Sequence, residues 1–188
     1  MRVFLALNVP EATRQALHDA TAPLREAAPE GVSWTAAEKI HLTLKFLGEQ
    51  PDEIPARLVA ALGAPLARQR PVDLDLRGVG AFPTMKRPRV LWVGVRPEPR
   101  LELLQHDVEL ACEGLGFEVE GRPFRPHLTL GRVRPGAPAE LPRRLAAAAR
   151  EVHLREAARV ETVDVMRSEL APGGSRYTVL ERVPLGSR

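Results

Sequence analysis

Apolar and polar positions along the chain sort into short strand-like runs separated by amphipathic stretches, and the order of these segments recurs. Arg2–Glu11 reads RVFLALNVPE and Arg89–Glu98 reads RVLWVGVRPE. Each is an apolar run closed by Pro-Glu, the pattern of a buried strand feeding the first turn of a helix. The two lie 87 positions apart. Amphipathic segments follow them at Ala12–Ala27 and Leu101–Cys112. His41-Leu42-Thr43-Leu44 then returns as His127-Leu128-Thr129-Leu130, 86 positions on. Ala- and Leu-rich stretches over Glu53–Gln69 and Glu140–Glu151 predict a further helix in each copy. Alternating runs at Val72–Leu76 and Val160–Val165 predict half-buried strands.

One shared tetrapeptide in a leucine-rich chain is near chance, but several elements recurring in one order at nearly one offset are not. The pattern predicts one bilobal domain over residues 1–188, with an internal repeat of about 2–83 and about 89–184. A last strand is expected over Arg176–Val183, entered through the hairpin signal Gly173-Gly174. The Pro- and Arg-rich stretch Phe82–Arg89 is the expected crossing between lobes. Strands mixed with helices and close-set turn signals give an α+β class: two pseudo-symmetric lobes, each with a mainly antiparallel sheet and helices outside.

The 188 residues are 44% hydrophobic and 27% charged, which is ordinary for a globular protein and argues against disorder. The longest uncharged stretch, Leu58–Ala67, has ten residues. A transmembrane helix needs about 20, so no membrane partner is expected. The apolar opening ends at Asn8 and lacks a small-residue cleavage site, so it predicts a first strand and not a signal peptide. A soluble, cytoplasmic protein is expected. Cys112 stands alone, which excludes an internal disulfide and any zinc site built on two thiolates. The basic residues are 24 Arg and 3 Lys, and the net charge of +3 admits an anionic partner without demanding one.

Alternation along a strand turns His41 and Thr43 to one face and Leu42 and Leu44 to the other; His127 and Thr129 repeat this against Leu128 and Leu130. Two lobes related by an approximate two-fold bring both His and both Thr to a shared cleft. That set suits the opening of a cyclic phosphodiester by water. One neutral imidazole takes a proton from the water and one protonated imidazole gives a proton to the departing oxygen. The threonine hydroxyls donate to the non-bridging phosphoryl oxygens. The scheme requires no metal.

Two His-x-Thr-x motifs in register resemble the signature of the 2H phosphoesterase superfamily. The flanks HLTLKFLGE, RPHLTLGRV and MRSELAPGGSRYTVL resemble its bacterial and archaeal branch, the RNA 2′,3′-cyclic phosphodiesterases, also called 2′–5′ RNA ligases. The resemblance runs from about Arg2 to about Pro184. It implies an active site in the central cleft between lobes and hydrolysis of RNA 2′,3′-cyclic phosphate ends to 2′-phosphates. It further implies that neither metal nor ATP takes part and that a weak reverse 2′–5′ ligation accompanies the reaction; no cofactor is expected. It makes His41 the proton donor to the 3′ oxygen and His127 the proton acceptor from water, a distinction that the sequence itself does not draw. It also associates Arg132, five positions after the second histidine, with substrate phosphate. Phe46 holds the matching place in the first copy.

Strict alternation puts Arg132 on the leucine face, so the strand must end or twist for it to reach the cleft; the same alternation puts Lys45 with His41 and Thr43. Arg122, Arg125, Arg132 and Arg134 surround the second motif against Glu120 alone, an RNA footprint. His18, His106 and His153 are expected at the surface or rim, and Trp34 and Trp92 in the core. Ser33, Ser168, Ser175 and Ser187 form no nucleophile elbow, and no phosphate-cradling glycine loop is present. Gly114 and Gly116 are expected to end a helix. No long exposed apolar stripe calls for a partner, which predicts a monomer. Two other functions fit the same motifs: hydrolysis of a small cyclic phosphate or cyclic oligonucleotide, and RNA-end binding without turnover.

Overall fold

The computed structural model describes residues 1–172 and 174–186; Gly173 of the expected hairpin signal and Ser187 lie outside them. The chain runs β1 (Arg2–Leu7), α1 (Glu11–Ala20), α2 (Ala22–Ala27), β2 (Val32–Trp34), a 3-10 turn (Ala37–Lys39), β3 (Leu42–Glu49) and α3 (Ile54–Ala67). It continues β4 (Val72–Thr84), β5 (Arg87–Val95), α4 (Pro99–Glu113), β6 (His127–Val133), α5 (Leu141–Ala149), β7 (Arg155–Val160), β8 (Thr162–Ala171) and β9 (Gly174–Pro184). Among the described residues no helix is long and apolar enough to cross a membrane.

The elements largely follow the hydrophobic pattern. Ile54, Leu58, Leu62 and Leu66 recur every four residues and give α3 one buried stripe. Prolines at the first helical positions of α3, α4 and α5 lack an N–H where none is needed. The stretch expected as a single helix over Ala12–Ala27 is broken at Thr21. Pro23 has no N–H for the carbonyl of Asp19, and the Thr21 hydroxyl donates to the Leu17 carbonyl at 2.7 Å.

The strands form one antiparallel sheet in the order β7-β4-β5-β6-β3-β1-β8-β9, with β2 added to β6. The two lobes meet where β3 and β6 touch through the single registered pair Leu42↔Leu128. On one side lie β3, β1, β8 and β9; on the other lie β6, β5, β4 and β7. The last strand of each sequence copy therefore joins the opposite lobe. The chain crosses at residues 68–71, between α3 and β4, and again at Glu161. Phe82–Arg89 is not the crossing; it is the tip of the β4–β5 hairpin, closed by Thr84↔Arg87. The single strand expected over Val160–Val165 is likewise two, split at Glu161.

That second crossing dictates the curvature. β7 and β8 stand six places apart in the sheet, about 29 Å if it were flat at roughly 4.8 Å per strand. One intervening residue cannot span that distance, so the sheet must curl. Its helix-facing side carries the main core, including Leu5, Leu7, Leu42, Leu91, Val93 and Leu128, each no more than 1% exposed. The other side is the cleft.

Strand pairing also fixes how the copies superimpose. Leu7 pairs with Leu42 and Val93 with Leu128, so the first strands correspond at an offset of 86 and not the 87 suggested by Pro-Glu. The difference of one matters, because a one-residue slip exchanges the faces of a strand.

Candidate active site

His41 precedes β3 and His127 opens β6. The Leu42↔Leu128 pair, carried one residue each way in antiparallel register, sets His41 opposite Thr129 and Thr43 opposite His127. The two motifs are thus brought together on the cleft face across the seam between lobes. Both rings are held alike. Nδ1–H of His41 donates to the Lys39 carbonyl at 2.7 Å, and Nδ1–H of His127 donates to the Arg125 carbonyl at 2.7 Å. A carbonyl only accepts, so each Nδ1 carries a proton and each Nε2 is the site that gains or loses one. His41 Nε2 lies 3.1 Å from Thr43 Oγ1.

Aromatic rings wall both imidazoles. Tyr177 meets His41 edge-on at 5.2 Å and 89°, and Phe82 meets His127 at 4.9 Å and 87°. Phe4 lies against His41 at 5.1 Å, tilted by 33°, and neighbours Phe46 and Tyr177. Trp92 packs on Phe82 at 5.2 Å and pairs with Thr129 along the strands. Of eight Phe, Tyr and Trp residues, five therefore gather round the cleft. Sequence reasoning missed Phe4, Phe82 and Tyr177. The signal that was present is their scarcity, since aromatics are 4% of the chain. Trp34 does pack against the core, with Nε1–H donating to the Ala28 carbonyl, but Trp92 lies on the cleft face, not in the core. A Cβ at Gly80 would run into its indole, which explains glycine there.

A bulge in each motif strand sets the facing of the residues beyond the threonine. Between Thr43 and Lys45 the partner strand advances by only one residue, from Ala6 to Leu5; between Thr129 and Gly131 it advances from Trp92 to Leu91. The extra residue reverses the alternation. Lys45 consequently turns away from the cleft into the core, where its ammonium pairs with Glu109 at 2.6 Å and the side chain is buried. Arg132 takes the opposite course: paired with Val90, it returns to the cleft face, as Phe46 does opposite Phe4. Phe46 is 70% exposed. The first copy thus offers a ring where the second offers a guanidinium.

Burial pushes the pKa of both histidines below the ordinary value of 6.5. The carbonyl bonds from Lys39 and Arg125 oppose this, while the charge of Arg132 depresses both and that of His127 further depresses His41. Of the other arginines expected as an RNA footprint, Arg122 is engaged by Glu120 at 3.0 Å. Arg125, Arg132 and Arg134 are exposed, and among the described residues they form no ion pair. His106 and His153 are exposed and His18 half-buried, away from the cleft.

A cavity of about 350 Å³ opens beside His41, lined by Asn8, Arg14, Lys39, Tyr177 and Arg182 among others. Asn8 Nδ2 donates at 2.7 Å to Asp164, a carboxylate that also accepts from Thr162 Oγ1 at 2.7 Å. Arg14 is tied to the Glu38 carbonyl at 2.8 Å, and its Nε is buried without a partner.

The chain is similar to several known proteins. A protein named RNA 2′,3′-cyclic phosphodiesterase from Geobacillus stearothermophilus is 36% identical over 69% of this chain, which spans 41% of that longer protein. One of the same name from Methanothermobacter thermautotrophicus is 31% identical over 96% of this chain and 97% of its own. A crystal structure of a Thermus thermophilus protein superimposes with a TM-score of 0.80, at 33% identity over 100% of this chain and 99% of the other. The sequence profile of the 2′-5′ RNA ligase superfamily matches residues 9–171, and the chain belongs to that family.

Proposed function

We propose that the chain hydrolyses 2′,3′-cyclic phosphate ends of RNA to 2′-phosphates by paired acid and base catalysis. The observation that carries this reading is the alignment of two His-Thr pairs across β3 and β6, each ring fixed through Nδ1 so that Nε2 exchanges the proton. Water attacks phosphorus as His127 Nε2 takes its proton, and the P–O3′ bond breaks as His41 Nε2–H protonates the departing oxygen. The Thr43 and Thr129 hydroxyls and the Arg132 guanidinium neutralise the charge that builds on the non-bridging oxygens. The Thr43 hydroxyl exchanges its contact with His41 Nε2 for one with the phosphate.

In-line displacement puts the water on the His127 side and the terminal nucleoside, which owns the 3′ oxygen, on the His41 side. The cavity beside His41 is on that side, with Tyr177 for a ring to meet and Arg14 and Arg182 for a 5′ phosphate. A 5′-hydroxyl in place of the water opens the same ring, with P–O3′ broken as before, and leaves a 2′–5′ bond. The chain acts as one bilobal domain over residues 1–188 and as a monomer in the cytoplasm, which sedimentation and fractionation would check.

The test is to mix EDTA-treated protein with a short RNA ending in a 2′,3′-cyclic phosphate and to identify the product by mass and as the 2′ or 3′ isomer. A 2′-phosphate, lost in the His41→Ala and His127→Ala proteins, is expected. Wild-type turnover in either variant overturns the mechanism. Turnover confined to small cyclic nucleotides moves the substrate, and binding of RNA ends without product moves the protein to a binding role.

A further inference from the structure

The ion pair that the first bulge creates reaches the second motif. Lys45 lies two residues beyond Thr43 on β3, yet its ammonium, besides pairing with Glu109 of α4, donates to the Glu118 carbonyl at 2.8 Å. Glu109 Oε2 in turn accepts from the Glu120 backbone N–H at 3.4 Å, and Oε1 accepts from Gln105 at 3.1 Å. Lys45 and Glu109 are 8% and 6% exposed, and Cys112 beside them has its thiol pushed up to about 11 by burial. Residues 114–126, which link α4 to β6, contain no helix or strand of their own. Glu118 and Glu120 are exposed, so the tether grips the backbone of this segment and not its side chains. Five residues past Glu120 comes Arg125, whose carbonyl holds His127 Nδ1. The second copy has Gly131 at the position of Lys45 and sends no such tether back.

We propose that Lys45 and Glu109 are positioning residues for His127: the pair anchors the segment that presents the Arg125 carbonyl, and so fixes the imidazole of the second motif from the strand of the first. Replacing a buried ion pair by apolar side chains of similar volume is commonly tolerated by the fold, because neither charge is left alone. The Lys45→Met/Glu109→Met protein should therefore fold while losing both grips on the segment.

The imidazole Nδ1 protons give a readout independent of activity. In the wild type both are bonded to carbonyls and should exchange more slowly than a free imidazole N–H. In the double variant exchange of the His127 proton should quicken at least about tenfold, while the His41 proton, held by Lys39, stays as it was. Misplacing a reacting group by about 1 Å costs up to about 100-fold in rate, so kcat should fall roughly 10- to 100-fold with KM nearly unchanged. A second protein, with two glycines inserted after Gly121, keeps the ion pair and slackens the link; it should lose the same protection whether or not the double variant folds. Protection of His127 Nδ1–H at the wild-type level in a folded variant overturns the proposal. The kinetic arm rests on the cyclic phosphodiesterase reading. If wild-type protein opens no cyclic phosphate, that reading fails, and the imidazole protons still decide the tether.

Discussion

His41 and His127 share a backbone anchor through Nδ1 and an aromatic edge against the ring, and this arrangement fixes the tautomer before substrate arrives. It also has a consequence for pH. A pair that needs one neutral and one protonated member works best between its two macroscopic pKa values. Burial and Arg132 push both histidines down from 6.5, so protons leave early as pH rises. kcat/KM, which reports the free enzyme, should be bell-shaped with its maximum below pH 6.5, falling through neutrality as the acid loses its proton. The negative phosphate between the rings holds that proton more tightly, so the maximum in kcat should lie at higher pH. Arg132→Met removes a depressing charge and should move the kcat/KM maximum upward while raising KM. Rates measured across pH 4.5–9 check both; a kcat/KM maximum above pH 7 would contradict the assigned environment.

At the level of elements, the bulges after Thr43 and Thr129 distribute the chemistry. Both motifs have the same four residues, but the bulge sends Lys45 inward and Arg132 outward. The histidines and threonines were legible in the sequence because alternation over three residues suffices to place them. Lys45 and Arg132 were not, because their faces depend on how β3 and β6 slip against β1 and β5, which neither motif records. Gly131 is the local trace of the second bulge. A Cβ there would stand 2.9 Å from Val32 Cγ1 and 3.1 Å from the Ser33 carbonyl oxygen, so β2 approaches only over a glycine. Gly131→Ala should destabilise the protein by about 1–3 kcal/mol through this overpacking. Because Ser33 also pairs with Arg132, the displacement should raise KM for RNA more than it lowers kcat. Denaturant melts and steady-state kinetics on one preparation test both; unchanged stability would mean that β2 yields freely.

For the whole molecule, the α+β class and the alternation of strands with helices were readable from periodicity, whereas β2, the break between α1 and α2 and the exchange of β4 and β8 between lobes were not. That exchange is a property of the closed sheet: residues 68–71 and Glu161 carry the chain across it, and nothing in their own composition says where the next strand docks. The exchange brings β4, and with it Phe82, beside the second histidine, while the arginines around β6 stay on one side of the seam. Charge is thus unevenly spread along the cleft. Arg125, Arg132 and Arg134 are exposed and outside the ion pairs of the described residues, whereas Arg122 is held by Glu120. Three phosphates neutralised on a single strand correspond to a slope of about −2 in log K against log salt, since each contributes roughly −0.7. Raising salt from about 50 to about 200 mM should then weaken binding of a 2′-phosphate-ended oligonucleotide about 16-fold. A dinucleotide product, too short to reach all three arginines, should show about half that slope. Titrations by anisotropy at four salt concentrations would separate the two lines. Equal slopes would mean that RNA beyond the terminal nucleotide leaves the protein without touching this face, and that the recognition of the end is confined to the cavity beside His41.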